Sequence, residues 1–529
     1  MTTVRDAVIS VLRREGLTRI FSNPGSTEVS FLHDLPDDVE FVLGLHEGSV
    51  VGMATGHAIM TGRPALALLH TTAGLGNAVG ALATARANRA PLVVVVGQQD
   101  RRHIVSEPFL AGRLSGLAGD YPVSVHEPAR AADVPSLIAR AARDAAQLQG
   151  PSVVIVPMDD WTQKADLSVE QAAPQSLVAG RGADPASLSA VVEFLDAAAN
   201  PVLVHGSSLD DLGNWTALAA LADTLDCPVW QESHGARAAF DQTSPRFAGH
   251  LPPARAQLRT ALADHDLVLL VGGHAFKQYL FDTGPFVVPG TRVIVLTDDP
   301  QEAAISAADL VVLGPTAPAM THLADAVTRR PRREWATRKP AAVSEAVVTA
   351  DRPSPTQVFA ALAARLPSRS TVIEECPSSR RILIDVIPTR EPLGFVTPAM
   401  GGLGFALPAA IGMRLADPTR PIVAIVGDGS SLYNIQSLWS AQQYSTGVLF
   451  VVMSNGGYAV MDRLAHGAGG KPAWPGFPEI SVSTIATGLG CPALRIQSHA
   501  ELIDALEAIM PSLGDRTEPV LLDVAVTTD

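Results

Sequence analysis

Two short turns carry the residues best suited to chemistry. Val423 to Val426 reads as a buried strand that runs into Gly427-Asp428-Gly429-Ser430, and Val448 to Met453 reads as a second that runs into Asn455-Gly456-Gly457-Tyr458. A helix is predicted between them, over Ser431 to Tyr444. The unit is βαβ, with both loaded turns at carboxyl ends of strands, where open parallel sheets bind ligands. Asp428 and Asn455 are short oxygen ligands, and the glycines let backbone groups approach closely. Two oxygen side chains, free carbonyls and a helix N-terminus suit a hard cation bridged to a phosphate.

A second group lies far upstream. Ser26, Glu47 and His70 each fall just past a predicted strand: Arg19 to Ser22, Phe41 to Leu45, and Ala65 to Leu69. Each alone has a plainer reading. Ser26 would be an N-cap, Glu47 a residue favoured at a helix start, and His70 a satisfied core histidine. Their shared address at one sheet edge argues for a common crevice.

The elements needed to position these groups repeat a strand–helix pattern. Helices are predicted over residues 3–14, Thr27 to Leu35, Val51 to Met60 and Val134 to Gln147, with a turn at Thr71 to Gly76 opening another. Strands Pro91 to Gly97 and Ser152 to Val156 complete the first domain. A second is predicted from strands Pro201 to His205, Pro228 to Gln231, Leu267 to Val271 and Arg292 to Leu296. A third begins near Ser354 and includes helix Phe405 to Leu415. Linkers are expected over Asp166 to Pro185 and Arg329 to Pro353. The expectation is three doubly wound parallel-sheet α/β domains, at 1–165, 185–330 and 353–529.

Composition removes several function classes. The 529 residues carry a net charge of −14, which argues against a nucleic-acid partner. No apolar run is long enough for a membrane helix, and no secretory signal opens the chain. Three cysteines without a CxxC pair indicate neither a disulfide framework nor zinc, and a reducing cytoplasm is expected. Gly74-Leu75-Gly76, Gly401-Gly402-Leu403-Gly404 and Val271-Gly272-Gly273-His274 are only fragments of a dinucleotide fingerprint, and there is no Walker A sequence.

GDGS at 427–430 followed by Asn455 and Gly456 resembles the thiamin diphosphate-binding motif, and Glu47 falls where that family keeps its cofactor-activating glutamate. The stretches FSNPGSTEVSFL, LHEGSVVGMATGHA, LLHTTAGLGNAVGAL and GGLGFALPAAIGMRLADPTRPIVAIVGDGS are similar to the benzoylformate decarboxylase branch. That resemblance spans the chain. It implies a pyrimidine-binding domain, a middle domain and a pyrophosphate-binding domain. It also implies Mg²⁺, with Ca²⁺ as an alternative, on Asp428, Asn455 and the Gly457 carbonyl. Asn23, Pro24, Gly25, Glu47, Ser378, Gly401, Leu403, Gly427, Gly429, Ser430 and Tyr458 would contact the cofactor.

Glu47 would share a proton with the cofactor's pyrimidine, His70 would relay protons, and Ser26 would anchor the substrate carboxylate. Leu110, Leu280, Val460 and Leu464 would line the pocket. The implied reaction is non-oxidative decarboxylation of a 2-oxo acid, benzoylformate or an aryl or branched relative, with carboligation as a side activity. A carboligase or lyase of the acetolactate synthase or 2-hydroxyacyl-CoA lyase type is the alternative. The family builds its site between two chains, which implies a homodimer at least and commonly a homotetramer. One departure bears on mechanism: Leu280 or Phe281 stands where the branch has a second active-site histidine. Ala465 to Pro478, rich in Gly and Pro, is expected to form a mobile lid.

Overall fold

The computed structural model describes residues 2–166, 184–333 and 351–528. Most of both expected linkers therefore lies outside the described residues. The chain forms two compact units, one carrying the first sheet and all but one edge strand of the third, and the other the middle sheet.

The first sheet holds β1 (Arg19–Asn23), β2 (Glu40–Leu43), β3 (Ala65–His70), β4 (Leu92–Gln98), β5 (Ser124–His126) and β6 (Pro151–Pro157), in the order β2-β1-β3-β4-β6-β5. The middle sheet holds β7 (Pro201–His205), β8 (Val229–Gln231), β9 (Phe247–His250), β10 (Leu267–Val271), β11 (Arg292–Thr297) and β12 (Leu310–Leu313), in the order β12-β11-β10-β7-β8-β9. The third holds β13 (Thr371–Glu375), β14 (Phe395–Val396), β15 (Ile422–Gly427), β16 (Leu449–Ser454), β17 (Ala493–Ile496) and β18 (Val520–Ala525), in the order β14-β13-β15-β16-β18-β17. The first and third orders are the same order, offset by twelve strands.

These are three six-stranded parallel sheets. Their central strands are near-continuous apolar runs, as strands covered on both faces must be. LVVVVGQ in β4 is buried at every position, and LFVVMS in β16 at all but the last. On one side of the first sheet, Val8, Leu12, Phe31, Ile138 and Trp161 form a common core with Leu66, Leu68, Val93 and Val95.

The helix Glu47–Thr61 differs from the surface helices. Nearly all of it is buried, from Glu47 through Ile59, as expected when apolar residues surround a helix. It packs along the helix Ala406–Ala416, and glycines set the approach. A methyl at Gly56 would come 2.0 Å from the Ala409 carbonyl oxygen, and one at Gly412 would come 1.8 Å from that of Met53. Hydrogen bonds reinforce the pairing, since Ser49 Oγ donates to Asn434 Oδ1 at 3.2 Å and Ser437 Oγ donates to Ser49 Oγ at 2.8 Å. The helix that begins at Glu47 is thus seated on the third sheet's layer.

Several local expectations are corrected. The helix expected over Ser431 to Tyr444 is two helices, Asp428–Ser431 and Ser437–Gln443, separated by turns. Asn434 breaks it: its side chain donates to the Gly404 carbonyl at 2.6 Å instead of facing out of a regular turn. Thr71 to Gly76 is the first part of the helix Thr71–Ala87, not a turn before it. The helix expected over Thr27 to Leu35 is only Val29–Leu32, because Thr27 and Glu28 are turned inward. Among the described residues, no helix is long and apolar enough to cross a membrane.

Candidate active site

The third sheet builds an oxygen-rich turn. β15 delivers Asp428 and adjacent β16 delivers Asn455. Asp428 Oδ2 accepts the N–H groups of Asn455 at 2.9 Å and Gly456 at 2.7 Å, and Oδ1 accepts that of Gly429 at 2.8 Å. One carboxylate therefore ties the two turns together. Asn455 Oδ1 accepts the Gly457 N–H at 3.1 Å. Burial pushes the Asp428 carboxyl above its ordinary range, against the pull of those three amides. A buried carboxylate of this kind is favoured by a cation.

Glycine is required where the backbone crowds. A methyl at Gly429 would come 2.6 Å from the Tyr458 ring, and Gly456 adopts φ +74°. Among the described residues no cluster of three or more His, Cys, Asp or Glu side chains exists to hold a metal by itself. The donor set is one carboxylate, one side-chain amide and backbone carbonyls. That suits Mg²⁺, which takes few protein ligands and completes its shell with phosphate oxygens and water.

Ser378 Oγ accepts the Val460 N–H at 3.1 Å, joining the turn after β13 to the helix Ala459–Gly467. Glu375, at the end of β13, accepts the N–H groups of Gly404, Phe405 and Ala406, each at 2.7 Å. It fixes the loop carrying Gly401 and Leu403. Neither Glu375 nor its role was foreseen from the sequence.

The expected lid is tied to this turn. Phe477 N–H donates to the Gly456 carbonyl at 2.8 Å, the Phe477 ring stands edge-on to Tyr458 at 5.1 Å, and Trp474 Nε1 donates to Asp462 at 2.9 Å. The start of that stretch, through Gly467, is helical.

The first sheet gathers the upstream group as its strand order requires, since β1 lies between β2 and β3. Glu47 is the first residue of its helix, capped by His46, whose Nδ1 accepts the Gly48 N–H at 3.0 Å. The Glu47 side chain is buried, accepting from Asn77 Nδ2 at 3.0 Å and from Asn23 Nδ2 at 3.4 Å. Asn77 was missed from sequence. It sits on the helix Thr71–Ala87, two turns past His70, and only the fold brings it to Glu47.

His70 closes β3, and its Nδ1 lies 3.1 Å from Glu28 Oε2 and 3.0 Å from Thr27 Oγ1. Glu28 and Thr27 were also missed. Ser26 beside them is exposed, as is Pro24.

The expected pocket residues are scattered in their surroundings. Leu110 is 37% exposed at φ +67°, and Leu464 is 41% exposed. Val460 is half-buried. Leu280 belongs to the other unit, where it is exposed beside Tyr279 and Phe281.

Comparison with known proteins agrees with this geometry. Residues 2–114, 188–323 and 378–524 match the N-terminal thiamine pyrophosphate-binding, central and C-terminal thiamine pyrophosphate-binding domains of thiamine pyrophosphate enzymes. The chain is 37% identical over 537 residues to benzoylformate decarboxylase of Pseudomonas aeruginosa, covering 100% of this chain and 99% of that one. It superposes on the thiamine diphosphate-dependent 4-hydroxybenzoylformate decarboxylase of Rhodococcus jostii with a TM-score of 0.95, at 33% identity, covering 100% of this chain and 99% of that one. Benzoylformate decarboxylase of Polynucleobacter necessarius superposes with a TM-score of 0.94 at 30% identity, with the same coverage.

Proposed function

Because the chain belongs to the thiamine pyrophosphate enzymes, on their benzoylformate decarboxylase branch, and is a thiamine pyrophosphate-dependent 2-oxo acid decarboxylase, we propose that it decarboxylates an aryl or branched 2-oxo acid of the benzoylformate type. Aldehyde and CO₂ are the products, with Mg²⁺ as the metal. The single observation carrying the reading is the buried Glu47 carboxylate held by Asn77 and Asn23 at a sheet edge.

Asp428, Asn455 and the Gly457 carbonyl would hold Mg²⁺ against the cofactor's diphosphate. Gly429 and Ser430 N–H groups would face the phosphate oxygens, and Leu403 would support the cofactor's bend. When bound, the cofactor supplies a carbon nucleophile and a sink for the electrons released with CO₂. Glu47 would share a proton with the cofactor's pyrimidine, and the two asparagines fix which way its carboxyl points. Ser26 would donate a hydrogen bond from its hydroxyl to the substrate carboxylate. His70 gives and takes a proton beside the reacting carbon. Leu110, Val460 and Leu464 would line the approach of the substrate. We further propose that Glu47 of one chain serves Asp428 of a second copy in a homodimer or homotetramer. Among the described residues no hydrogen bond joins Glu47 to Asp428 or Asn455 within one chain.

A carboligase or lyase on the same cofactor is the second reading. It is favoured by Leu280 and Phe281 standing where a second proton-relaying histidine is expected.

The test is incubation with thiamin diphosphate, Mg²⁺ and a panel of 2-oxo acids, following CO₂ and aldehyde. Aryl or branched acids should give both products, and a chelator should abolish turnover. Product from an acyl donor plus an aldehyde acceptor, with no free aldehyde from any acid, would select the second reading.

A further inference from the structure

The carboxylate behind His70 is built with more care than a turn needs. Glu28 and Thr27 are 1% and 0% exposed. Glu28 Oε2 accepts the Gly25 N–H at 2.8 Å and lies 3.1 Å from His70 Nδ1, while Oε1 accepts the Thr27 hydroxyl. Two glycines make room for the cluster. A methyl at Gly97, near the end of β4, would come 1.7 Å from Glu28 Oε1 and 2.4 Å from Thr27 Oγ1. A methyl at Gly25 would come 2.3 Å from the His70 ring. Three strand ends are thus shaped around one Glu–Thr–His group. Burying a carboxylate is costly unless its partners are well placed, so a cap for the Gly25 N–H alone is a poor reason to keep it.

Proton accounting fixes the ring's form. A carboxylate only accepts, and the Thr27 hydroxyl has one proton, which it gives to Glu28. Toward His70, both Glu28 Oε2 and Thr27 Oγ1 are therefore acceptors, at 3.1 and 3.0 Å. Nδ1 must carry the hydrogen. Nε2 makes no hydrogen bond among the described residues, and the side chain keeps 17% of its surface exposed. In the neutral ring, Nε2 then holds the free lone pair.

We propose that Glu28 and Thr27 are positioning residues that lock His70 in its Nδ1–H form, so that Nε2 is the only nitrogen that exchanges protons with substrate. The catalytic consequence rests on the decarboxylase reading above, whereas the tautomer does not. With apolar residues at 280 and 281, the function proposed above leaves His70 as the histidine that takes and returns protons. It can do so through a single atom only if its other nitrogen never turns toward the substrate.

The test is ¹⁵N NMR of the histidine-labelled holoenzyme, with His70 assigned by its absence in His70→Ala. The expected signal is a neutral ring protonated at Nδ1. Glu28→Leu keeps much of the side chain's volume but accepts nothing and frees the Thr27 hydroxyl to donate to Nδ1, so the Nδ1–H signal should give way to Nε2–H. Its kcat should fall on the order of 10²-fold, with KM for the 2-oxo acid nearly unchanged. Thr27→Val should show a smaller loss, and Thr27→Ser should restore wild-type behaviour. An Nε2–H ring in the wild type, or a tautomer unmoved in both Glu28→Leu and Thr27→Val, overturns the proposal. The expected tautomers in an enzyme that decarboxylates none of the panel would uphold the lock and refute the substrate reading instead.

Discussion

Gly412→Ala tests whether the seat of the Glu47 helix is as tight as described. On an exposed helix this change would stabilise by about 1 kcal/mol, because alanine is the better helix former. Here the new methyl would stand 1.8 Å from the Met53 carbonyl oxygen, 2.7 Å from its carbon and 3.0 Å from the His57 nitrogen. All three are backbone atoms of the facing helix, so no rotamer change relieves them. The helices must part by more than about 1 Å, which loosens Gly52 against Pro408 and Gly56 against Ala409, and overpacking of this kind costs about 1–3 kcal/mol. The net expectation is a loss of up to about 2 kcal/mol, opposite in sign to the propensity effect.

Gly80→Ala is the matched control. It lies in the helix Thr71–Ala87 with nothing within 4 Å of the added methyl. Thermal melting of both variants beside the wild type gives the answer by order alone, which avoids assuming two-state unfolding in a chain of several domains. The expected order is Gly412→Ala lowest and Gly80→Ala highest. Cofactor affinity should fall only in Gly412→Ala, since Glu47 rides on the displaced helix. A Gly412→Ala protein that melts at or above the wild type would refute the packing argument.

Three further outcomes follow from the geometry. Coexpression of Glu47→Gln and Asp428→Ala chains should restore activity that neither homo-oligomer has, because a mixed dimer contains one intact pair; no recovery would mean that each site belongs to a single chain. Burial pushes the Glu375 carboxyl up to about 7 from an ordinary 4.5, so the folded chain holds the extra proton between those values. Its stabilising contribution should therefore be full below about pH 4.5 and lost as pH rises through about 7. The difference in melting midpoint between wild type and Glu375→Gln should track that window, and a flat difference would show a carboxylate charged throughout. Burial also pushes the thiols of Cys227 and Cys491 up to about 12 and raises that of Cys376. All three are buried, so native protein should resist thiol alkylation until denatured; rapid labelling at neutral pH would contradict this.

The sequence was legible where chemistry depends on local spacing. GDGS and the Asn455 turn follow apolar strands by simple adjacency, so Asp428 and Asn455 could be placed without a fold. Central strands were legible for the same reason, being continuous apolar runs. Some edge strands were not: β5 and β17 are short and half-exposed with no apolar run, and β12 is a run of only four residues. The residues supporting the site were hidden for a different reason. Thr27 and Glu28 look like the start of a helix, and Asn77 like a polar residue in one. Their roles come from contacts with His70, Gly97 and Glu47, across 30 to 70 residues of chain. The break at Asn434 is of the same kind, since it is set by Gly404 and Ser49 rather than by a Gly or Pro in the helix.

The shared strand order of the first and third sheets has an evolutionary consequence. In both, the third strand of the local sequence occupies the same place, and it ends at His70 in one and just before Asp428 in the other. On the function proposed above, the same strand order serves twice, once to present Glu47 and His70 for proton handling and once to present Asp428 and Asn455 to a cation and phosphate. Changes around His70 can be selected for a new acid without altering the turn that retains the cofactor. A lineage built this way can explore substrates around His70 while the cation turn stays unchanged, provided Glu47 and its two asparagines are kept.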